Sequence, residues 1–298
     1  MELRVLQYFL AVTREQSILG AAESLHLSQP TLSRQLKDME EELGKQLFIR
    51  SNRRITLTEE GMILRKRAEE ILSLVQKTQD EISSSSDNIA GDIYIGCGES
   101  EGMRYMLRAA KRIQEEYPLV HFHVISGDRE SVIEELDRGL IDFGVLYGDF
   151  DRSKYEMLTP DYSDHFGVLM RKDDPLAAKD IIDGSDLIGK PLIVSRQVYK
   201  NDKRDLKQQL NLEEKDINIV ATYNLLFNGS LMVEEGIGYA ICFDKIINTT
   251  GDSPLVFKPL ARQYLSQPTI IWKKYQILTK AAEAYIQSFK EILLSSNC

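Results

Sequence analysis

The side chains with the clearest chemistry lie between Ser17 and Thr58. Gln29, Thr31, Ser33, Arg34 and Lys37 share one side of a 3.6-residue repeat whose other side is Leu32, Leu36, Met39 and Leu43. A little further on, Arg50, Asn52, Arg53 and Arg54 crowd into one tip, entered through Phe48 and Ile49 and left through Ile55 and Leu57 in alternation with Thr56 and Thr58. Guanidinium, amide and hydroxyl groups so placed bond phosphate oxygens and the edges of base pairs. Arginine matches guanine O6 and N7, whereas Ser33 and Lys37 suit phosphate. The expected contact set is Gln29, Pro30, Thr31, Ser33, Arg34, Lys37, Arg50, Arg53 and Arg54.

Two short helices have to position these groups. Ser17 can cap the first, with Ala21, Ala22 and Leu25 turned inward and small enough for close helix approach. A turn at His26 and Leu27 follows, and Ser28 caps a second helix that tolerates Pro30 in its first turn. The order is that of a winged helix-turn-helix, with the start of the second helix entering a major groove and the basic hairpin beside it. A solvated amphipathic helix is the plainer alternative, and the hairpin argues against it.

Charge divides the chain. Residues 1–58 hold 8 Lys and Arg against 7 Asp and Glu, and residues 87–298 hold 25 against 33, so most of the net charge of −9 lies in the second part. An acidic total does not exclude DNA binding, which depends on the local row of cations facing phosphates.

The run AAESLHLSQPTLSRQLKDMEEELGKQLFIRSNRRITLTEEG resembles the N-terminal signature of the LysR-type transcriptional regulators. Over the remaining two-thirds the resemblance rests on architecture and on weaker motifs, DFGVLY and EEGIGYAICF. It implies paired DNA-reading heads on partly palindromic promoter sites, a homodimer or homotetramer acting on the transcription machinery, and a response to a small-molecule effector.

From Glu59 to about Ser84 the chain reads as one helix capped by Thr58, with Glu59 and Glu60 in the first turn, where the helix dipole favours acid. Leu64, Ala68, Ile71, Val75, Thr78 and Ile82 are spaced 4, 3, 4, 3 and 4, a coiled-coil seam. Leu64, Ala68, Ile71, Val75 and Ile82 are the expected dimerisation residues, with packing on the helix's own domain as the alternative. Ser83 to Ser86, Asp87 and Asn88 read as its end and a hinge. The expected domains are therefore a head over 1–58, a linker and hinge over 59–88, and an effector domain over 89–298.

After Gly91, strand and helix alternate. Strands are expected at Asp92–Cys97, Val120–Ser126, Asp142–Tyr147, His165–Met170, Leu192–Ser195, Ile217–Ala221 and Gly238–Cys242. Helices are expected at Gly102–Tyr117, Val132–Gly139 and Leu225–Glu235. A polar stretch, Thr159 to Asp164, and a late strand at Pro268–Trp272 suggest two α/β lobes joined by two crossing segments, about 89–161 with 268–298 and about 162–267, with a final helix Thr279–Leu294 on the first. This resembles the periplasmic-binding-protein-like fold of the family's effector domain. The fold class is thus α/β, preceded by an all-α winged helix-turn-helix.

Ligands in such sheets sit beyond the carboxyl ends of strands. Four loops qualify, Glu99–Glu101, Ser126–Arg129, Ser195–Gln197 and Thr222–Asn224. Ser100, Glu101, Gly127, Ser195, Arg196, Thr222 and Asn224 are the expected effector contacts, Ser100 and Ser195 first because the resemblance places them in the cleft. Arg196 and Lys200 can neutralise a carboxylate, yet the acids Glu99 and Glu101 argue against an anionic effector. Each hydroxyl taken singly is also a candidate helix cap.

No cofactor or metal is expected. Gly96, Gly98 and Gly102 with Asp128 approximate a dinucleotide fingerprint with one extra residue, but Glu99 would bring a carboxylate toward pyrophosphate. Gly184 to Lys190 spells Gly-x-x-x-x-Gly-Lys, with Pro191 where a magnesium-binding hydroxyl belongs. His121 and His123 share a strand face without a third ligand in view, and no nucleophile with a base is apparent, so no enzyme is expected. Cys97, Cys242 and Cys298 are too far apart for a disulfide framework. The start, MELRVLQYFLAVTREQ, fits neither a secretory signal nor a membrane span, and cytoplasmic residence is expected. The alternatives to a regulator are a solute-binding module and a nucleotide-dependent oxidoreductase with an accessory helical domain.

Overall fold

The computed structural model describes residues 1–50, 54–83, 89–148, 150–200, 204–263 and 266–295. Asn52 and Arg53 of the basic tip, residues 84–88 of the expected hinge and Cys298 fall outside these, as does the side chain of Arg50. The chain packs as two units, residues 1–85 and 86–298.

The first unit contains α1 (Leu3–Glu15), α2 (Ile18–Ser24), α3 (Gln29–Leu43), the strands β1 (Phe48–Arg50) and β2 (Ile55–Leu57), and α4 (Glu59–Ser83). Ser17 accepts a hydrogen bond from the Gly20 amide and Ser28 from the Thr31 amide, at 3.2 and 3.3 Å, so both expected caps form. His26, at φ 54°, turns the chain between α2 and α3. The core gathers Leu6, Phe9 and Val12 of α1, Ala21 and Ala22 of α2, and Leu32, Leu36 and Met39 of α3. Leu43 departs from the expected stripe: it is exposed, because the last turn of α3 runs past this core before Gly44 reverses the chain at φ +63°.

The hairpin is fastened to α3. Glu40 accepts hydrogen bonds from the amides of Leu47 and Phe48, at 2.7 and 3.2 Å, and Phe48 meets the Phe9 ring. Thr58 donates to the Gln46 carbonyl and caps α4 by accepting from the Gly61 amide. A Cβ at Gly61 would lie 2.2 Å from the Leu47 carbonyl oxygen, so only glycine lets α4 start this close to the wing.

The seam of α4 divides into two parts. Ala68 is fully buried inside the head, with Leu64 and Leu72 packed on the same core. This corrects the expectation for Ala68, and in part for Leu64: the first turns of α4 lean on α1, so that stretch of the repeat is satisfied within its own unit. Further along, Ile71, Leu74 and Ile82 are exposed, as is Ile63 near the start.

The second unit holds two five-stranded mixed sheets. The first lobe runs β3 (Gly91–Cys97), α5 (Met103–Glu116), β4 (Val120–Ser126), α6 (Arg129–Asp137), β5 (Phe143–Leu146) and β6 (Tyr155–Leu158). The second runs β7 (Phe166–Arg171), β8 (Pro191–Ser195), α7 (Arg196–Lys200), α8 (Arg204–Leu210), β9 (Asn218–Tyr223), α9 (Leu226–Glu234), β10 (Tyr239–Phe243) and β11 (Leu255–Pro259). The chain then returns to the first lobe as β12 (Thr269–Lys273) and α10 (Lys280–Ser295). Strand orders are β4-β3-β5-β12-β6 and β11-β7-β10-β8-β9. In the first lobe, α5 and α10 bury Met106, Ala109, Tyr285 and Phe289 on one face, while Val132 and Leu136 of α6 cover the other. The crossing segments pair with each other through Asp164 and Ser266.

The edge strands β6 and β11 were not expected. They are short, and β11 ends in a proline that interrupts alternation. Strand β9 runs to Tyr223 rather than Ala221, because Thr222 and Tyr223 still pair with Val194 and Ser195.

Candidate nucleic-acid interface and effector cleft

On the head, the face of α3 opposite its buried stripe carries the expected polar groups. Gln29, Pro30, Thr31, Arg34 and Lys37 are exposed and Ser33 is half-buried. The Thr31 hydroxyl shares a 2.7 Å hydrogen bond with Ser28, which fixes the first turn. Arg34 stands 3.9 Å from Asp38 and Lys37 3.3 Å from Glu41, one helical turn on, with the cation side chains 83% and 70% exposed. Such exposed pairs contribute little and exchange readily for phosphate or a base edge. Arg54 is exposed where the chain leaves the wing tip, and β1 and β2 pair from Phe48–Leu57 to Arg50–Ile55. The head thus presents the exposed first turns of α3 and a two-stranded hairpin, both rooted in one core.

In the second unit, the carboxyl ends of β3, β4 and β8 face a cleft between the lobes. A cavity of 220 Å³ lies between Ser126, Gly127, Asp128 and Glu135 of the first lobe and Arg196 and Asn224 of the second. Of the residues expected to contact an effector, Gly127, Arg196 and Asn224 therefore line one cavity. Ser100, Glu101, Ser195 and Thr222 do not line that cavity. Ser100 bonds Tyr147, whose hydroxyl donates at 2.7 Å to the buried carboxylate of Asp164 on the crossing segment. Burial and the Asp164 charge push the Tyr147 phenol far above its ordinary range, so it stays a donor. Glu101 pairs with Arg104. Ser195 accepts from the Val198 amide at 3.3 Å, the plain helix cap that was its alternative reading. Thr222 is corrected from loop to strand, where pairing of β9 with β8 holds it on an exposed edge.

Charged groups of the cleft bond one another across the lobes. Lys200 lies 3.3 Å from Asp128 and 3.2 Å from Glu130, so it is already matched rather than waiting for an effector carboxylate. Asp128 caps α6, and the Ser131 hydroxyl and amide, with Lys200, hold its carboxyl below the usual range. The Arg129 amide donates to Gln197 at 3.3 Å, and the Leu226 amide donates to Glu99 at 2.5 Å. The bridging roles of Glu99 and Gln197 were not legible in sequence. The one signal for Glu99 was Leu225, an N-cap position with no side chain able to cap.

The motifs considered for other chemistry sit quietly in the fold. Gly184–Leu187 is a 3₁₀ turn leading into β8. Among the described residues no three groups are arranged to hold a metal, and His121 and His123 both face Asp92. Burial pushes the Cys97 thiol up to about 11 and the Cys242 thiol higher, which leaves both protonated and unreactive at neutral pH. No helix among the described residues is long and apolar enough to cross a membrane.

Comparison with known proteins decides the family. Residues 3–62 match the bacterial regulatory helix-turn-helix protein family of LysR type, and residues 86–293 match the LysR substrate binding domain. The chain belongs to the LysR family. Among LysR-type relatives, it is 28% identical over 298 residues to the HTH-type transcriptional regulator BsdA of Bacillus subtilis, covering 97% of this chain and 100% of that one. It is 26% identical over 194 residues to the dual regulator OxyR of Escherichia coli, spanning 65% of this chain and 63% of OxyR. The crystal structure of full-length CbnR complexed with its target DNA shares the fold, with a TM-score of 0.75 at 17% identity over 98% of this chain and 100% of that one. The protein is thus a LysR-type DNA-binding transcriptional regulator with a substrate-binding domain for an effector, and its homologues are regulators.

Proposed function

We propose that the first turns of α3 read a promoter major groove through Gln29, Thr31, Ser33 and Arg34, while Lys37 and the wing arginines Arg50, Arg53 and Arg54 hold the phosphates. The observation that carries this reading is the exposed, weakly paired polar face of α3 in a head whose core closes without it. Two heads have to be held at matched spacing to span adjacent half-sites. Ile71, Val75 and Ile82 of the expected seam serve that role, joined by the exposed Ile63 and Leu74, because a lone helix gains nothing by leaving such a stripe in water. Pairing of two chains follows from that stripe, and a tetramer would need a second contact besides it.

The effector site is the cavity between the lobes, with Gly127, Arg196 and Asn224 as contacts. An effector acts through its differential affinity for two lobe arrangements, about 1 to 3 kcal/mol of coupling to the heads. The protein is read as a regulator and not an enzyme, without a cofactor, resident where the chromosome is, in the cytoplasm. A dinucleotide fares poorly at β3, since the turn carries Glu99 and Asp128 is already committed to Ser131 and Lys200. The protonated state of Cys97 and Cys242 speaks against peroxide sensing by those two thiols.

The test is to capture sheared genomic fragments on the purified protein at near-physiological salt and to footprint those retained. The reading expects a short list of upstream regions protected as two half-sites one helical turn apart or a multiple of it. Absence of any enriched fragment, with and without cell extract, contradicts it.

A further inference from the structure

Helix α9 begins without a local cap. Its N-cap position is Leu225, and no side chain of its own turn accepts from its first amides. Uncapped amides at a helix start carry partial positive charge and favour an anion. The acceptor comes instead from the opposite lobe, since the Glu99 carboxylate takes the Leu226 amide at 2.5 Å from 127 positions away in sequence. Two further bridges join the same lobes, Gln197 to the Arg129 amide and Lys200 to Asp128 and Glu130.

We propose that Glu99 is a built-in ligand of the cleft: its carboxylate fills the anion seat at α9, latches the lobes together, and selects against effectors that present a carboxylate to that helix. The proposal rests on the reading of the cleft as the effector site and specifies its chemistry. A carboxylate effector arriving at α9 meets a like charge already hydrogen-bonded there, and has to displace it to gain the amide. An effector with a neutral or cationic group at that end leaves the latch in place. The acids Asp128 and Glu135 beside the cavity act in the same direction, with Arg196 as the opposing cation. Glu99 is on this account a specificity-determining residue that works by occupying the seat.

Hydrogen exchange on the full chain tests this, with acetate as the probe. Glu99→Ala should speed exchange in the peptide covering the start of α9 by about fivefold, as loss of a helix cap does. Tens of millimolar acetate should slow it again in the variant and leave the wild type unchanged. Glu99→Gln, which keeps an acceptor without the charge and preserves side-chain volume, should fall between. Glu101→Ala, two positions along and paired with Arg104 on its own lobe, is the control and should match wild type. Three results overturn the proposal: unchanged exchange in both Glu99 variants, acetate protection of the wild type equal to that of Glu99→Ala, or no acetate effect on Glu99→Ala. The readout needs neither DNA nor the native effector. Its failure is therefore distinct from failure of the cleft as an effector site, which would appear as no metabolite altering the footprint of the wild type.

Discussion

The head and the cleft use charge in opposite ways. On α3, Arg34 and Lys37 are held, among the described residues, by exposed intrahelical partners and stay available to a polyanion. In the cleft, Lys200 is matched to Asp128 and Glu130, and Glu99 to the Leu226 amide, in each case across the lobes. The first arrangement suits a surface that meets a large partner whose phosphates cannot be supplied from within. The second suits a site whose ligand competes with internal bonds, so that binding and lobe geometry are coupled. On the proposed reading the chain keeps a preformed reading surface and a self-satisfied switch, and the two should respond differently to substitution.

The largest effect should come from the scaffold of the head. Gly61→Val places its Cβ against the Leu47 carbonyl, so the wing or α4 has to move, at a cost of roughly 3 kcal/mol. Chemical denaturation should show that loss in the head transition while the effector domain unfolds as before. If both transitions shift together, the two regions are not separately stabilised. Next comes self-association. Leu74→Glu puts a charge in the exposed stripe of α4 and should weaken the dimer at least about tenfold by sedimentation, since a charge left unpaired in an apolar seam costs more than about 1.4 kcal/mol. An unchanged oligomer would move the interface elsewhere.

Smaller effects belong to the cleft. Asp128→Ala removes the cap of α6 and the bond to Lys200, at a cost of about 1 kcal/mol, while Asp128→Asn keeps the cap. Because the Asp128 carboxyl is held below its ordinary value in the folded chain, its contribution is present above the unfolded value of about 3.9 and disappears as pH falls through the folded one. Lobe opening, followed by exchange or scattering, should thus rise below about pH 4 in the wild type and lose that acid-dependent component in Asp128→Asn. Weakest of all, Cys97→Ser and Cys242→Ser should leave DNA binding under peroxide unchanged, since neither thiol ionises near neutral pH.

How much could be read in advance follows the same division. In the head, caps, turn and core are encoded locally: Ser17, Ser28, Pro30 and the spacing of Leu32, Leu36 and Met39 each act within one or two turns, and the fold follows them. Ala68 reads in sequence as a seam residue because a coiled-coil repeat and an amphipathic helix leaning on its own domain share a period over three turns. In the second unit the alternation of strand and helix gave the two-lobed α/β plan, but the edge strand β6 reads Tyr-Glu-Met-Leu, where two successive apolar residues break the alternation. The cleft was least legible, because its bonds join loops far apart in sequence. A serine after a strand reads equally as a cap or a ligand contact, and only the fold shows Ser195 capping α7 and Ser100 turned to Tyr147.

On the proposed reading, the start of α3 distinguishes base pairs while the flanking cations only hold the backbone. It is tested most directly by titrating the wild type, Arg34→Ala and Lys37→Ala against the footprinted site and single-base-pair variants of it. Arg34→Ala should lose about 1 to 3 kcal/mol on the native site and become indifferent to one base pair, while Lys37→Ala should weaken every sequence alike and lower the salt dependence. An Arg34→Ala protein that kept wild-type affinity and selectivity at every position would contradict the account.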